Sequence, residues 1–382
     1  VEVEARMRWA RALGVEPAWG DALDAAAVRL EAALGGVPDL VWVLVAPEHA
    51  DGVAGMGGAL ASRWPRVDAI AGGAAPGLWS DGPILAWPAV LLVGARWEGA
   101  AIDARVHHLS PSLLSRLATL GPSAGEVAMV GLQEAAAILV LACPHTVASG
   151  TLLAAIDAVA PGVPCVGAWV GVGGVRGTTA LLRGRTTVRE GAVLVALHGD
   201  IEAEVAVVPD VAVAGPRWRV DAVEEGMVAV LDGRPALEVL IDATHALAGS
   251  VRRALVRMPQ LAWWPLSRAE GEADLQVHAI VGVDDSASRF ALAVPVRVGD
   301  RLAVVAPMED TADRRVLAAA ASASRRRGGP ALATLHLAPV GAEGKAPAAG
   351  FLGQATIAST RDGVAVFTSA RVLMSLWGRT WN

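Results

Sequence analysis

Apolar runs of strand length recur along the chain, and stripes with helical spacing fall between them. Leu23, Ala26, Ala27, Leu30, Ala33 and Leu34 follow three- and four-residue steps. That spacing predicts one amphipathic helix, capped by Asp21 and stopped by Gly35-Gly36. Leu40 to Ala46 is a continuous apolar run that ends in Pro47-Glu48-His49, which reads as a buried strand and a turn. A helix over about 50–63, with Met56 and Leu60 inward, is broken by Pro65. Val67 to Ala71 predicts a second strand running into GGAAPG (Gly72 to Gly77), and Pro88 to Ala95 predicts a third.

The same order then returns. Ile138 to Ala142 ends in Cys143-Pro144-His145, and Pro144 lies 97 positions after Pro47. Ser149 caps a helix with Leu152, Leu153, Ile156 and Val159 on one face. Pro161 and Pro164 end it, and a strand over 165–170 leads into GVGGVRG (Gly171 to Gly177). Ala192 to Gly199 closes the unit, and IEAEVAVV (Ile201 to Val208) is expected to extend the same sheet. A match that continues through several elements predicts an internal duplication. The copies are β-α-β-β-β units over about 39–110 and 136–208. A helix between the first two strands permits a parallel crossover, whereas the tighter later links require antiparallel pairing.

The expected fold class is therefore α/β, tending to α+β, with mixed sheets flanked by helices in a two-part architecture. A first domain spans 1–213 and a second spans 214–382, joined through Gly215 to Val220. In the second, Asp232-Gly233 is a turn and a helix runs from Pro235 toward Leu255. Strands are expected over 275–283, 289–298 and 301–306, then a helix over about 310–326. Leu332 to Pro339, Ala348 to Ala358 and Asp362 to Ala370 form a third, weaker echo of the repeat.

Composition narrows the function classes. With 382 residues, 54 % of them hydrophobic, a membrane protein is the first thought. The apolar runs are too short for it, because a spanning helix needs ~20 residues. With Glu2 and Glu4 and no long apolar core, the first residues do not read as a signal peptide, so a cytoplasmic protein is expected. The net charge of −6 argues against nucleic acid as a partner. Arg325 to Arg327 close a helix before Gly328, where positive charge suits the helix dipole. Cys143 and Cys165, the two cysteines, have no zinc spacing and read as free buried thiols.

Candidate chemistry collects at the turns. Backbone N–H groups of Gly72, Gly73, Gly171, Gly173 and Gly174 could approach an anion or a carboxylate, with Arg176 as counter-charge. The competing reading makes the same glycines sharp turns where side chains do not fit. His49 and His145 close the two matching turns. Cys143 beside His145 offers a thiol and an imidazole to a haem iron, while the register of Pro144 with Pro47 favours a plain turn. The doublet His107-His108 reads as loop or strand edge, and His198, His278 and His336 lie in apolar strands. No nucleophile elbow or H-E-x-x-H pattern is present, so no catalytic activity is expected.

The succession of these pieces resembles the FIST family, the F-box and intracellular signal transduction domains. DLVWVLVAPEHADG looks like the family's first strand and acid-proline turn, and IAGGAAPGLWSDG like its glycine-rich strand end. DGRPALEVL looks like the entry to the C-terminal half, and AAGFLGQATIA like that half's last glycine-bearing strand. There the family's Gly-Glu pair falls at Ala355-Thr356, its cysteine at His336 and an arginine at His278, so the C-terminal motifs are eroded. The resemblance implies an intracellular sensory domain that binds a small molecule, such as an amino acid, and acts through a separate output protein. It leaves two alternatives, a ligand-free structural or assembly subunit and a haem-dependent nitric oxide sensor. A ligand is expected where the repeats meet, at the carboxyl ends of the parallel strands.

Overall fold

The computed structural model describes residues 6–75, 77–79, 88–98, 101–123, 126, 131–170, 179–209, 211–247, 260–264, 266, 276–292, 294–307, 312–327, 331, 333–339, 350–353, 356–360, 363–367 and 370–378. The chain opens with β1 (Arg6–Gly14), α1 (Trp19–Leu34), β2 (Leu40–Val45), a 3-10 turn (Pro47–Gly52), α2 (Val53–Arg63), β3 (Ala69–Ala74), β4 (Gly77–Trp79) and β5 (Val90–Glu98). Next come β6 (Ile102–Leu109), α3 (Pro111–Leu120), β7 (Ala137–Ala142), α4 (Ser149–Val159), β8 (Cys165–Trp169), β9 (Leu181–Arg183), β10 (Thr186–Val188), β11 (Ala192–Gly199) and β12 (Ile201–Pro209). A β-rich stretch follows, with β13 (Val211–Val213), β14 (Trp218–Glu224), β15 (Met227–Leu231), β16 (Arg234–Pro235), α5 (Ala236–Ala246), β17 (Gln260–Trp264), β18 (Gln276–Asp284), β19 (Arg289–Leu292) and β20 (Arg301–Pro307). The last elements are α6 (Ala312–Arg326), β21 (Ala333–Pro339), β22 (Gly350–Gly353), β23 (Thr356–Thr360), β24 (Gly363–Phe367) and β25 (Ala370–Gly378).

The chain forms two compact units. One contains 1–208, 313–366 and 371–382, and the other contains 209–312 and 367–370. Residues expected to form one C-terminal half, 214–382, are thus divided between them. In sequence the second unit is an insertion between β12 and α6.

Three sheets build the first unit. The first has the order β1-β5-β2-β3-β9-β10, the second β6-β11-β7-β8-β23-β24 read from its far edge, and the third β12-β25-β21-β22-β4. Each centres on one parallel pair, β2/β3, β7/β8 or β21/β22. Each pair has an antiparallel neighbour on the first-strand side, β5, β11 or β25. Another antiparallel strand flanks the second-strand side, β9, β23 or β4. That outer strand comes from a different segment each time. β4 follows β3 but joins the third sheet, β9 follows β8 but joins the first, and β23 follows β22 but joins the second. Three sheets of one design therefore exchange strands in a cycle.

This order moves two expected boundaries. β6 holds in the second sheet the place that β1 holds in the first, so residues 102–109 open the second unit of the pattern instead of closing the first. The IEAEVAVV strand, β12, joins the third sheet, not the second. A period-two run predicts a strand but does not name its partner.

Burial explains the continuous apolar runs. Every residue of β2 and of β7 is buried. On one face Val41, Val43 and Val45 pack with Leu23, Leu30, Leu34, Met56 and Leu60 of α1 and α2. Ile138, Val140 and Ala142 pack likewise with Leu114, Leu117, Leu152 and Ile156 of α3 and α4. The opposite faces, Leu40, Trp42 and Leu44 or Leu139 and Leu141, are buried as well, as strands covered on both sides must be. α1 starts at Trp19 behind Ala18, not at an Asp21 cap. α4 starts at Ser149 with Ala148 at the cap, and no side-chain cap bond forms.

The second unit closes on itself. Strands run β14-β15-β19-β18-β17 and β17 returns to β20, which pairs β14, giving a ring of six antiparallel strands. Trp218, Val220, Leu231, Leu261, Phe290 and Leu302 pack together with Ala236 and Val239 of α5. The Asp232-Gly233 turn forms, with both residues at positive φ, as a tight hairpin between twisted strands demands.

Candidate functional site

The three parallel pairs send their second strands toward one place. Two residues separate Ala74 from β4, whose Gly77 pairs Leu352 beside the end of β22. Two residues separate Gly353 from β23, whose Thr356 pairs Ala168 beside the end of β8. The end of β8 closes the circle, since a Cβ on Gly73 would lie 3.4 Å from both Val170 Cγ2 and the Ala180 carbonyl. A two-residue link spans on the order of 10 Å at most, so the ends of β3, β8 and β22 converge.

The walls of this place are small. Gly73 is buried in β3, with Ala74 and Ala75 after it. Gly72 and Gly73 lie in a strand paired on both sides, to Val43 and Leu44 of β2 and to Leu182 and Leu181 of β9. Their backbone groups therefore serve the sheet and do not form an open cradle for an anion. Close approach is what demands glycine at 72. A Cβ there would sit 2.2 Å from the Val43 carbonyl oxygen, and one on Gly167 would sit 2.2 Å from that of Val140. Gly171, Gly173, Gly174 and Arg176 lie outside the described residues.

One polar group stands at the convergence without a partner among the described residues. Thr179 is 1 % exposed and its Oγ1 is buried with no hydrogen bond. It precedes Ala180, whose carbonyl faces Gly73. A buried hydroxyl left unbonded costs about 1–3 kcal/mol. Such groups in native proteins call for an explanation, and a bound water or ligand is the ordinary one. Nothing in the sequence marks Thr179, which lies in a Thr-Thr pair without a motif.

The two turn histidines have different surroundings. His49 is 4 % exposed and its Nε2 bonds the carbonyl oxygen of Glu16 at 3.0 Å, which ties the β1–α1 link to the end of β2. His145 is half-buried at the turn after β7, and its Nε2 is buried without a partner. Cys143 is 1 % exposed, and its amide donates to the Gly191 carbonyl at 2.9 Å. The thiol is buried, so a haem iron could reach it only if that burial were undone. Burial pushes the Cys165 thiol up to about 12, which leaves it inert. Among the described residues no three His, Cys, Asp or Glu side chains group as a metal site. No helix among them is long and apolar enough to cross a membrane.

Comparison with known proteins gives a family match. The family model described as FIST N domain matches residues 39–234. No curated protein matches the chain. Among solved structures the chain is similar to a cyanuric acid hydrolase from A. caulinodans at 10 % identity and a TM-score of 0.34, over 99 % of this chain and 100 % of that one. A second structure, described as "Cyanuric acid hydrolase: evolutionary innovation by structural concatenation", is similar at 11 % identity and a TM-score of 0.25, over 67 % of this chain and 80 % of that one. At such scores these likenesses carry no argument about fold or chemistry. The match over 39–234 takes in β2 through β15 and more than half of the chain, and so the protein belongs to the FIST family of sensory signalling domains.

Proposed function

We propose that this FIST protein is an intracellular, non-catalytic sensor that binds a small molecule where β3, β8 and β22 converge and acts through a separate protein. The unpartnered Thr179 hydroxyl carries this reading, because it offers one polar contact among small apolar walls. Ligand sites combine such walls with a few placed polar groups, and a hydroxyl that can donate and accept suits a carboxylate or an amide. An amino acid is therefore the first class of ligand to try. The test is a thermal-shift panel of amino acids and small metabolites on the full chain. A ligand at 100 times its Kd should stabilise by about 2.7 kcal/mol, and Thr179→Val should abolish that shift. A panel with no response, or a response untouched by Thr179→Val, overturns the assignment.

A second reading has one observation in its favour. The family's Gly-Glu pair is replaced by Ala355-Thr356, and Thr356 is engaged in the ladder with Ala168 of β8. A FIST fold that serves as an assembly subunit would tolerate that loss. Co-purification of a stoichiometric partner together with an empty ligand panel selects it.

A further inference from the structure

The second unit holds five of the nine large apolar side chains that stand exposed among the described residues, Ile241, Leu266, Val281, Val283 and Val298. Two of these five meet. Leu266, 72 % exposed, follows the end of β17, and Val298, 58 % exposed, lies in the link between β19 and β20. A Cβ on Gly299, the residue after Val298, would lie 2.9 Å from Leu266 Cδ2, so the two segments touch at the surface. Apolar residues exposed singly need no explanation, whereas neighbours that are both open to water mark a contact surface.

One buried carboxylate holds both segments in place. Asp300 is 2 % exposed and accepts from the Leu266 amide at 2.9 Å, from the Arg297 amide at 2.8 Å and from Trp263 Nε1 at 2.9 Å. Its own amide donates to the Arg297 carbonyl at 3.1 Å, and Gly299, at φ +94°, donates to the Val220 carbonyl at 2.8 Å. Leu266 and Val298 are therefore presented in a set geometry. A surface ordered before its partner arrives loses less entropy on binding.

Arginines surround the pair. Arg301 lies opposite Arg219 on one side and opposite Trp264 on the other, and residues directly opposite in a ladder share a face. The Arg217 guanidinium lies 4.6 Å from the centre of the Trp264 ring, and Arg297 is exposed beside Val298. Like charges set opposite each other weaken a sheet, so the Arg219–Arg301 pair does not serve the ladder. Two carboxylates answer Arg219, with Asp221 accepting from its Nε at 2.8 Å and Asp232 from its amide at 2.9 Å. Asp300 is buried. Among the described residues the charge shown around Leu266 and Val298 is thus positive, in a chain whose net charge is −6. A partner that complements this surface is apolar at its centre and acidic at its rim.

We propose that Leu266 and Val298, with Arg219, Arg297 and Arg301 around them, are a docking surface for an acidic segment of a partner protein that seats an apolar side chain between flanking carboxylates. The apolar contact supplies most of the affinity. The arginines select the sign of the flanking charge and speed the encounter. The surface gives a place to the separate protein of the sensor reading, yet it rests on the second unit alone and needs no ligand at the strand ends.

The test is fluorescence anisotropy on the full chain with a short labelled peptide of leucine and glutamate, run beside one of leucine and lysine and one of serine and glutamate. Saturable binding of the first alone is expected, and it should weaken as salt is added. Leu266→Ser and Val298→Ser, both at exposed positions, should each weaken it by about tenfold or more. Arg297→Gln should weaken it several-fold and flatten the salt dependence, while Leu120→Ser, at an exposed leucine of the first unit, leaves it unchanged. The thermal-shift response to amino acids should be the same in Leu266→Ser as in the parent, so either reading can fail without the other. No saturable binding, equal binding of the lysine or the serine peptide, or full-strength binding by Leu266→Ser overturns the surface. Self-association that Leu266→Ser abolishes overturns it too, since the occupant is then a second copy of this chain.

Discussion

Thr179→Val separates a site from a packing detail, because the two readings give opposite signs. Valine has nearly the outline of threonine and carries no polar atom. Thr179 is 1 % exposed, and its Oγ1 has no bond in the free protein. Burying an unbonded hydroxyl costs about 1–3 kcal/mol, and an apolar group of the same shape recovers most of that. The variant should therefore be about 1 kcal/mol more stable than the parent, a rise in melting temperature of roughly 2 °C for a chain of this size. A substitution that stabilises the empty protein and removes ligand binding is the signature of a polar group retained for function. Thr179→Ser keeps the hydroxyl and loses a methyl, so it should lose about 1 kcal/mol yet retain the ligand response. Scanning calorimetry of the three proteins, with and without the responding ligand, reads all four outcomes. A Thr179→Val protein that melts 2 °C or more below the parent would refute the reasoning, since its hydroxyl must then be bonded within the fold.

Other consequences follow from particular contacts. Gly72→Ala and Gly167→Ala each drive a Cβ to 2.2 Å from a neighbouring carbonyl oxygen and should cost about 3 kcal/mol or more by urea denaturation. Gly58→Ala, on the exposed side of α2 with nothing within 4 Å, should instead gain about 0.5–1 kcal/mol. Burial holds the His278 pKa down at about 4 against an ordinary 6.5, so the neutral ring is favoured in the fold. Its contribution is complete above pH 6.5 and is lost as pH falls toward 4, to a total of roughly 3 kcal/mol. His278→Leu should flatten that part of the stability profile. Glu31 accepts from Arg63 at 2.9 Å and from the indole N–H of the buried Trp64, so Glu31→Gln should cost about 1 kcal/mol in thermal denaturation. A fragment of 1–213 leaves β8 without β23 and β24, and β4 without β22, so it should show no cooperative melting transition.

How much could be read in advance depended on whether an element's signal was local. The Leu40–Val45 run announced a strand because both its faces are buried, and its partner in the second sheet matched it closely. β1 gave no such signal. RMRWARALG carries three arginines and lies at the edge of its sheet, paired among the described residues to β5 alone, so its composition never resembles a core strand. α3 did carry a readable start, as the Ser110 side chain accepts from the Leu113 amide and Pro111 opens the helix, the pattern of a capped first turn. The third sheet was faint because 209–312 separates β12 from the strands it joins. Of the proposed ligand contacts, Gly72 and Gly73 were visible as glycines but not as ladder residues. Thr179 stayed hidden, because burial and a missing partner are properties of the fold and leave no mark on a lone threonine.

Strand exchange is what joins the architecture to the proposed function. Strands β4, β9 and β23, which each complete a neighbouring sheet, bring the ends of β22, β3 and β8 to one place. Bulky side chains there would force the sheets apart, which accounts for Gly73, Ala74 and Ala75 along the end of β3. A molecule bound at the proposed place would touch the strand ends of all three sheets at once, so its binding energy would act on their mutual pairing and not on one strand. Differential contact with two arrangements of a protein is what lets a ligand shift a population. A site at the ends of strands from three sheets can supply that difference, because any change in their pairing must move those ends.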